Sequence, residues 1–231
     1  MLDIPRIPVR HVVYLHGFAS SPASGKAERF RRELEARGIG YSCPDLNLPA
    51  FETLTTTRML AQVRDVVVGI PEGPVALVGS SLGAFVAVHA ADQDTTGKID
   101  RLILLAPALD FGGNRLRQLG PHGIDEWKRK GSLTVFHYAD ERERQVGYEL
   151  YEDAARYDAF TVETRFPSLV FQGDHDESVD PAMVQRWAAD RSHVDLRLLN
   201  DGHQLSDSID TIWAQSAVLL QGGIELRSVV F

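Results

Sequence analysis

Residues Pro74-Val75-Ala76-Leu77-Val78-Gly79-Ser80-Ser81-Leu82-Gly83 decide the fold. An apolar run suited to a buried strand ends in Gly-x-Ser-x-Gly, and Ala84-Phe85-Val86-Ala87-Val88-His89-Ala90-Ala91 follows at once with helix composition. Strand, sharp turn and helix in that order are the setting of a nucleophile elbow, which lifts the central serine out of the backbone with its Oγ exposed. Glycine two residues to either side leaves room for the crowded backbone at the turn. Ser81 is therefore the candidate nucleophile.

Outward from this stretch, apolar runs alternate with amphipathic ones. The pattern predicts an α/β domain with a mostly parallel central sheet of about six strands and helices on both faces. On the N-terminal side, Arg10 to Leu15 reads as a strand ending in the loop His16-Gly17-Phe18-Ala19-Ser20-Ser21-Pro22. A helix over about 26–37, a short strand at Tyr41 to Pro44 and a second helix over about 53–68 come next. Leu54, Met59, Leu60, Val63 and Val67 recur at helical spacing in that second helix and mark a core stripe. On the C-terminal side the strands are Ile99 to Ala106, Ser168 to Gly173 and Val194 to Leu199. Helices are expected after Pro181, with Asp180 as N-cap, and over about 207–220.

Between about 110 and 165 the alternation stops. The stretch is rich in aromatics, among them Trp127, Phe136, Tyr138, Tyr148 and Tyr151, and is too long for one crossover helix. Ser132 to Tyr138 and Gln145 to Tyr151 read as hairpin arms around Ala139 to Arg144. Loops of this length are usually functional, and the segment is expected to be a lid over the site. Its charge runs, Lys128 to Lys130 and Glu141 to Arg144, are expected to be solvated faces. The tail from Ile224 to Phe231 is extended and apolar; an added edge strand and a contact between copies of the chain both fit it.

The 231 residues suit one domain, and 44% hydrophobic with 24% charged residues excludes a disordered chain. A net charge of −8 gives no basic surface for nucleic acid or an anionic membrane. No apolar run reaches the roughly 18–20 residues of a membrane span. Cys43 is the only cysteine and reads as a small buried hydrophobe, and residues 1–8 lack the pattern of a signal peptide. A cytoplasmic setting is expected.

In a parallel sheet the reactive groups gather past the carboxyl ends of the strands, which selects His16, Ser81, Asp110, Asp174, Asp176 and His203. A serine nucleophile needs a base within hydrogen-bond reach, and that base needs an acid to fix its tautomer. His203, in a glycine-containing loop after the last strand, is the candidate base. Asp176 leads for the acid, with Asp174 and Asp110 as alternatives. The tetrahedral intermediate also requires backbone N–H donors. The amide of Leu82 at the helix N-terminus and that of Phe18 in the first loop are the candidates. Gly17 allows close approach there; His16 and Gly17 belong to the substrate-facing loop, His16 as its brace. Asp174, His175 and Asp176 are adjacent in one loop and make a poor chelate, and there is no phosphate-binding glycine motif, so neither metal nor cofactor is expected.

The segment Tyr14-Leu15-His16-Gly17-Phe18-Ala19-Ser20-Ser21-Pro22-Ala23-Ser24-Gly25-Lys26-Ala27 resembles the signature of the YqiA-like bacterial esterases of the α/β-hydrolase superfamily, and Gly79 to Gly83 adds the elbow. The resemblance implies an esterase or thioesterase acting on small acyl esters, with Ser81, Asp176 and His203 as triad and Phe18 and Leu82 as oxyanion donors. An acyl thioesterase or lipase-like enzyme is the neighbouring alternative. A catalytically silent binding module is the alternative of another class.

Overall fold

The computed structural model describes residues 7–111, 119–163 and 166–223. Strands β1 (His11–Leu15), β2 (Gly40–Ser42), β3 (Val75–Ser80), β4 (Ile99–Leu105), β7 (Ser168–Gly173) and β8 (Val194–Leu199) form one sheet in the order β2-β1-β3-β4-β7-β8. Every pairing in it is parallel. The sheet is covered on both faces, so its central strands read as continuous apolar runs; all six residues of β3 are buried. One face carries α2 (Thr56–Gly69), α3 (Leu82–Asp92) and α6 (Pro181–Ala189), whose apolar side chains merge into one core with Val13, Leu77 and Leu104. The other carries α1 (Gly25–Glu35) and α7 (Ile209–Leu220), where Phe30, Leu34, Ile212 and Trp213 pack on Val12, Tyr14 and Val78.

The stripe Leu54, Met59, Leu60, Val63 and Val67 is buried as its spacing requires. Leu54 itself precedes the helix, because Thr55 caps α2 by accepting from the Arg58 amide. Asp180 caps α6 in the same way, accepting from Ala182 N ahead of Pro181. Cys43 is half-buried, and burial pushes its thiol up to about 11, which leaves little thiolate at neutral pH.

Between β4 and β7 lies an insertion described over 119–163. It contains α4 (Gly120–Lys130), an antiparallel hairpin of β5 (Ser132–His137) and β6 (Arg142–Gly147), and α5 (Glu149–Ala154). The hairpin differs from the sequence expectation. His137 pairs with Arg142, so the turn is Tyr138 to Glu141, Arg142 to Arg144 lie in the strand, and Tyr148 to Tyr151 belong to the helical turn that follows. Arg142, Arg144 and Val146 alternate along one face of β6, so two charged residues precede the one fully buried apolar residue of that face and hide the alternation. Lys128 to Lys130 are exposed as expected, whereas Arg144 is drawn in to pair with Glu52 and Asp140. The tail from Ile224 to Phe231 lies outside the described residues.

The sheet order fixes where a site can form. From β1 the chain moves outward to β2, and from β3 it moves the opposite way to β4, so the loops after β1 and β3 part over a crevice at the carboxyl ends of the strands.

Candidate active site

The elbow is built by backbone crowding. A Cβ on Gly79 would stand 2.4 Å from the Gly83 carbonyl oxygen, and one on Gly83 would stand 2.0 Å from that of Leu15, so no side chain fits at either position. Between them Ser81 adopts φ 52° and ψ −114°, a conformation that non-glycine residues rarely take. Backbone hydrogen bonds hold it there: Ser81 N donates to Leu105 O at 2.9 Å, and Ser81 O accepts from Ala84 N at 3.0 Å and from Ala108 N at 3.2 Å. The serine side chain is thereby aimed into the crevice at the N-terminus of α3.

The loop after β8 brings His203 to it. His203 Nε2 lies 3.1 Å from Ser81 Oγ, and His203 Nδ1 lies 2.8 Å from Asp176 Oδ2. A carboxylate can only accept, so Nδ1 carries the imidazole proton and Nε2 is the lone pair that faces the serine hydroxyl. Asp176 Oδ1 accepts from the amides of Ser178 and Val179, both at 2.8 Å, and Oδ2 also accepts from Gln172 Nε2 at 3.0 Å. Burial works to raise the Asp176 carboxyl, but the bonds from His203, Val179 and Gln172 outweigh it and hold the group below the ordinary aspartate value. Asp176, rather than Asp174 or Asp110, meets His203; Asp174 faces outward beside His175.

The loop after β1 closes the crevice on the opposite side. A Cβ on Gly17 would touch Ser80 O and Ser81 Cβ at 3.4 and 3.5 Å, so this loop lies directly against the elbow. Among the described residues no hydrogen bond engages the Phe18 or Leu82 N–H; Leu82 directly follows Ser81, and Phe18 directly follows Gly17, which lies against the elbow. His16 presents no surface to the crevice. It is 1% exposed; its Nε2 accepts from Leu46 N at 3.0 Å and its Nδ1 donates to Gly17 O at 2.9 Å, so it braces the loop instead of lining the substrate path.

Ser81 and His203 open on a cleft of about 1380 Å³. One end is apolar, formed by Phe18 and by Val135, Phe136 and Tyr138 of the hairpin; the other runs along α1 past Lys26 and Arg29. Phe136 and Tyr138 meet edge to face at 5.4 Å and are 51% and 68% exposed, an unusual exposure for neighbouring aromatics. Among the described residues no three His, Cys, Asp or Glu side chains could hold a metal ion, and no helix is long and apolar enough to cross a membrane.

Two further residues belong to the site. Gln172 is a polar side chain directly after the apolar run Leu169 to Phe171 and is fully buried; that irregularity, one position before the strand end, is the signal that could have found it. Lys26, inside the signature-like segment Tyr14 to Ala27, reaches across to the His203 loop.

The model of an uncharacterised protein family, UPF0227, matches residues 11–219. No curated protein matches the chain. Among solved structures, a putative hydrolase from Agrobacterium vitis S4 superposes with a TM-score of 0.80 at 22% identity, covering 93% of this chain and 91% of that one. Est1E from Butyrivibrio proteoclasticus, solved with ferulic acid bound, gives 0.78 at 18% identity over 94% and 89%. Mouse alpha/beta hydrolase domain-containing protein 10 gives 0.75 at 22% identity over 90% and 89%. At these identities the likeness is one of fold, and the fold is that of the α/β hydrolases.

Proposed function

The chain belongs to the uncharacterised protein family UPF0227 and has the α/β-hydrolase fold, and from these premises we propose that it is a serine hydrolase of small carboxylic esters working through an acyl-enzyme. One observation carries the proposal: Ser81, His203 and Asp176 stand in a single hydrogen-bonded line. In this reading His203 Nε2 takes the Ser81 proton as Oγ attacks the ester carbonyl. Asp176 remains ionised and stabilises the imidazolium. The oxyanion forms against the Phe18 and Leu82 N–H groups, where the N-terminus of α3 adds favourable potential. His203 then returns the proton to the departing alcohol, and water repeats the sequence on the acyl-enzyme. No cofactor enters any step.

The apolar end of the cleft supports an acyl or aryl group resting on Phe18, Phe136 and Tyr138, with the hairpin segment acting as the lid. The ferulic acid held by Est1E, a protein of the same fold, makes a feruloyl ester a sensible aromatic probe.

The test is hydrolysis of matched p-nitrophenyl and feruloyl esters, together with the corresponding thioesters, by the wild type and by Ser81→Ala. Ester turnover is expected to fall by about 10⁴-fold or more in the variant. Thioesters favoured a hundredfold over matched esters would make the protein a thioesterase. Ester turnover that survives Ser81→Ala would remove the serine mechanism, and none at all in the folded wild type would leave a binding module.

A further inference from the structure

The His203 loop is fastened at two places, and only one of them belongs to its own strand end. Ahead of His203, Asp201 Oδ1 accepts from Gly202 N at 2.7 Å and Oδ2 accepts from Ser208 N at 3.0 Å. Asp201 O and Gly202 O press so closely on Gly173 that a Cβ there would stand 2.4 and 2.7 Å from them. After His203 the chain turns sharply: Leu205 has φ 53°, and its amide donates to Gly202 O at 3.2 Å. At this second side the fastening comes from α1, 178 residues away in the chain. Lys26 Nζ donates to Gln204 O at 2.7 Å and approaches Gln204 Oε1 at 3.4 Å.

We propose that Lys26 is a positioning residue for His203: its ammonium clamps the carbonyl of the next residue, Gln204, and so holds the imidazole in line with Ser81. The proposal rests on the hydrolase reading above. A hydrogen bond from an ammonium is shorter and stronger than one from a neutral amine, so the clamp is tightest while Lys26 is charged. An ordinary helix lysine would extend its head into water. Lys26 instead carries it into the cleft and directs it at a backbone carbonyl beside the candidate base.

The charges around Lys26 come from three elements. Asp201 after β8 and Asp176 after β7 both favour the ammonium, and His203 and the exposed Asp207 are the other titratable groups on the clamped loop. On α1 itself, Glu28 is engaged by Arg31, and Arg29 by Glu33 and Asp210. Burial prevails and lowers the Lys26 ammonium to about 8, with Asp201 and then Asp176 opposing it. The sign of the linkage separates this device from simple unfolding. Between about pH 8 and the ordinary lysine value of about 10.4 the unfolded chain binds more protons at Lys26 than the folded one, so stability from this group rises with pH while the clamp weakens.

The experiment measures kcat and KM for p-nitrophenyl acetate, and the rate of fluorophosphonate labelling, from pH 6 to 9.5 in wild type, Lys26→Met and Lys26→Arg, with thermal midpoints in parallel. Lys26→Met is expected to lose about 10- to 100-fold in kcat and in labelling rate, as small misplacements of a reacting group do, with KM changed less than about threefold. Lys26→Arg, which keeps a charged donor, is expected to recover at least half of that loss on a logarithmic scale. The wild type is expected to show a falling limb near pH 8 with an undiminished thermal midpoint; Lys26→Met is expected to lack that limb. A Lys26→Met protein within twofold of wild type overturns the proposal and leaves the hydrolase reading intact. If Lys26→Met does not fold, Lys26→Gln, a shorter neutral donor, takes its place, and a kcat and labelling rate within twofold of wild type overturn the clamp. A wild type that neither labels nor turns over overturns both readings.

Discussion

The elbow and the hairpin insertion both face the cleft, but they are held in place by different forces. At the elbow the backbone is wedged: Gly83 lies against the Leu15 carbonyl, Gly79 against Gly83, and Ser81 is forced to φ 52°. The insertion is tied to the loop after β1 by the backbone bond from Tyr138 N to Ala19 O at 2.8 Å, and is otherwise docked mainly by side chains. Trp127, fully buried in α4, donates from Nε1 to Val146 O at 3.1 Å beneath the hairpin, and Arg144 pairs with Glu52 while lying 5.6 Å over the Phe51 ring. Backbone wedging tolerates almost no change and fixes a reacting atom to a fraction of an ångström. Side-chain docking leaves a surface that can repack around ligands of different shape. In the proposed reading, the wedged elbow fixes the serine while the side-chain-docked aromatic wall adapts to the acyl group.

The largest effect that tests this contrast is expected at Gly83. Gly83→Ala places a methyl group at 2.0 Å from Leu15 O, and the strand or the helix must shift. A loss above about 4 kcal/mol, measured by denaturant titration, is expected. A loss under about 1 kcal/mol would show the elbow to be plastic and erase the contrast.

Trp127→Ala is expected to cost about 3–4 kcal/mol, because it empties the space under the hairpin and removes the bond to Val146. Measured well below the melting temperature, however, fluorophosphonate labelling of Ser81 should stay within tenfold of wild type. A labelling loss as deep as that of a triad variant would mean that the insertion positions the nucleophile.

His89 joins the two regions. It sits on α3 behind the elbow, 4% exposed, with its ring 5.3 Å from that of Tyr157 in the insertion. Burial lowers its imidazole to about 4. Its folded value lies below the unfolded one near 6.5, so the stability it contributes is complete above about pH 6.5 and is lost as pH falls toward 4, by about 3 kcal/mol. His89→Phe should flatten the pH dependence of the denaturant midpoint over that window. An unchanged slope would place the acid sensitivity elsewhere.

The smallest effect belongs to Arg144. Its pair with Glu52 is near the surface, and Arg144→Ala should lower global stability by no more than about 1 kcal/mol. Hydrogen exchange in the hairpin should nevertheless quicken several-fold while exchange in α3 is unchanged. Equal acceleration in both would show that the two regions open together.

The same contrast explains what the sequence disclosed. Wedged backbone requires glycine at fixed offsets, so Gly79-x-Ser81-x-Gly83 announced the elbow, and the buried parallel strands announced themselves as apolar runs; Val194 to Leu199 was bounded to the residue. Ser81, Asp176 and His203 could be named because each falls just past a strand end, and the structure brings them within 2.8 and 3.1 Å of one another along the line. The insertion was harder to read because its contacts join scattered residues. Glu52 and Arg144 are 92 positions apart, and their attraction pulls Arg144 out of an apparently solvated run. The roles of Lys26 and Gln172 were missed because each rests on a side-chain hydrogen bond that spacing does not announce: Gln172 bonds Asp176 four positions on, and Lys26, though inside the signature-like segment, bonds Gln204 178 positions away. His16, expected in the loop facing the substrate, is buried and bonds Leu46 N and Gly17 O.

The most direct test of the central proposal is the intact mass of the folded protein after exposure to a fluorophosphonate, for wild type, Ser81→Ala and His203→Ala. A single adduct on the wild type, absent from Ser81→Ala and formed at least about a thousandfold more slowly by His203→Ala, is the result expected of an activated serine. An adduct that persists in Ser81→Ala, or a wild type that remains unmodified, would contradict it.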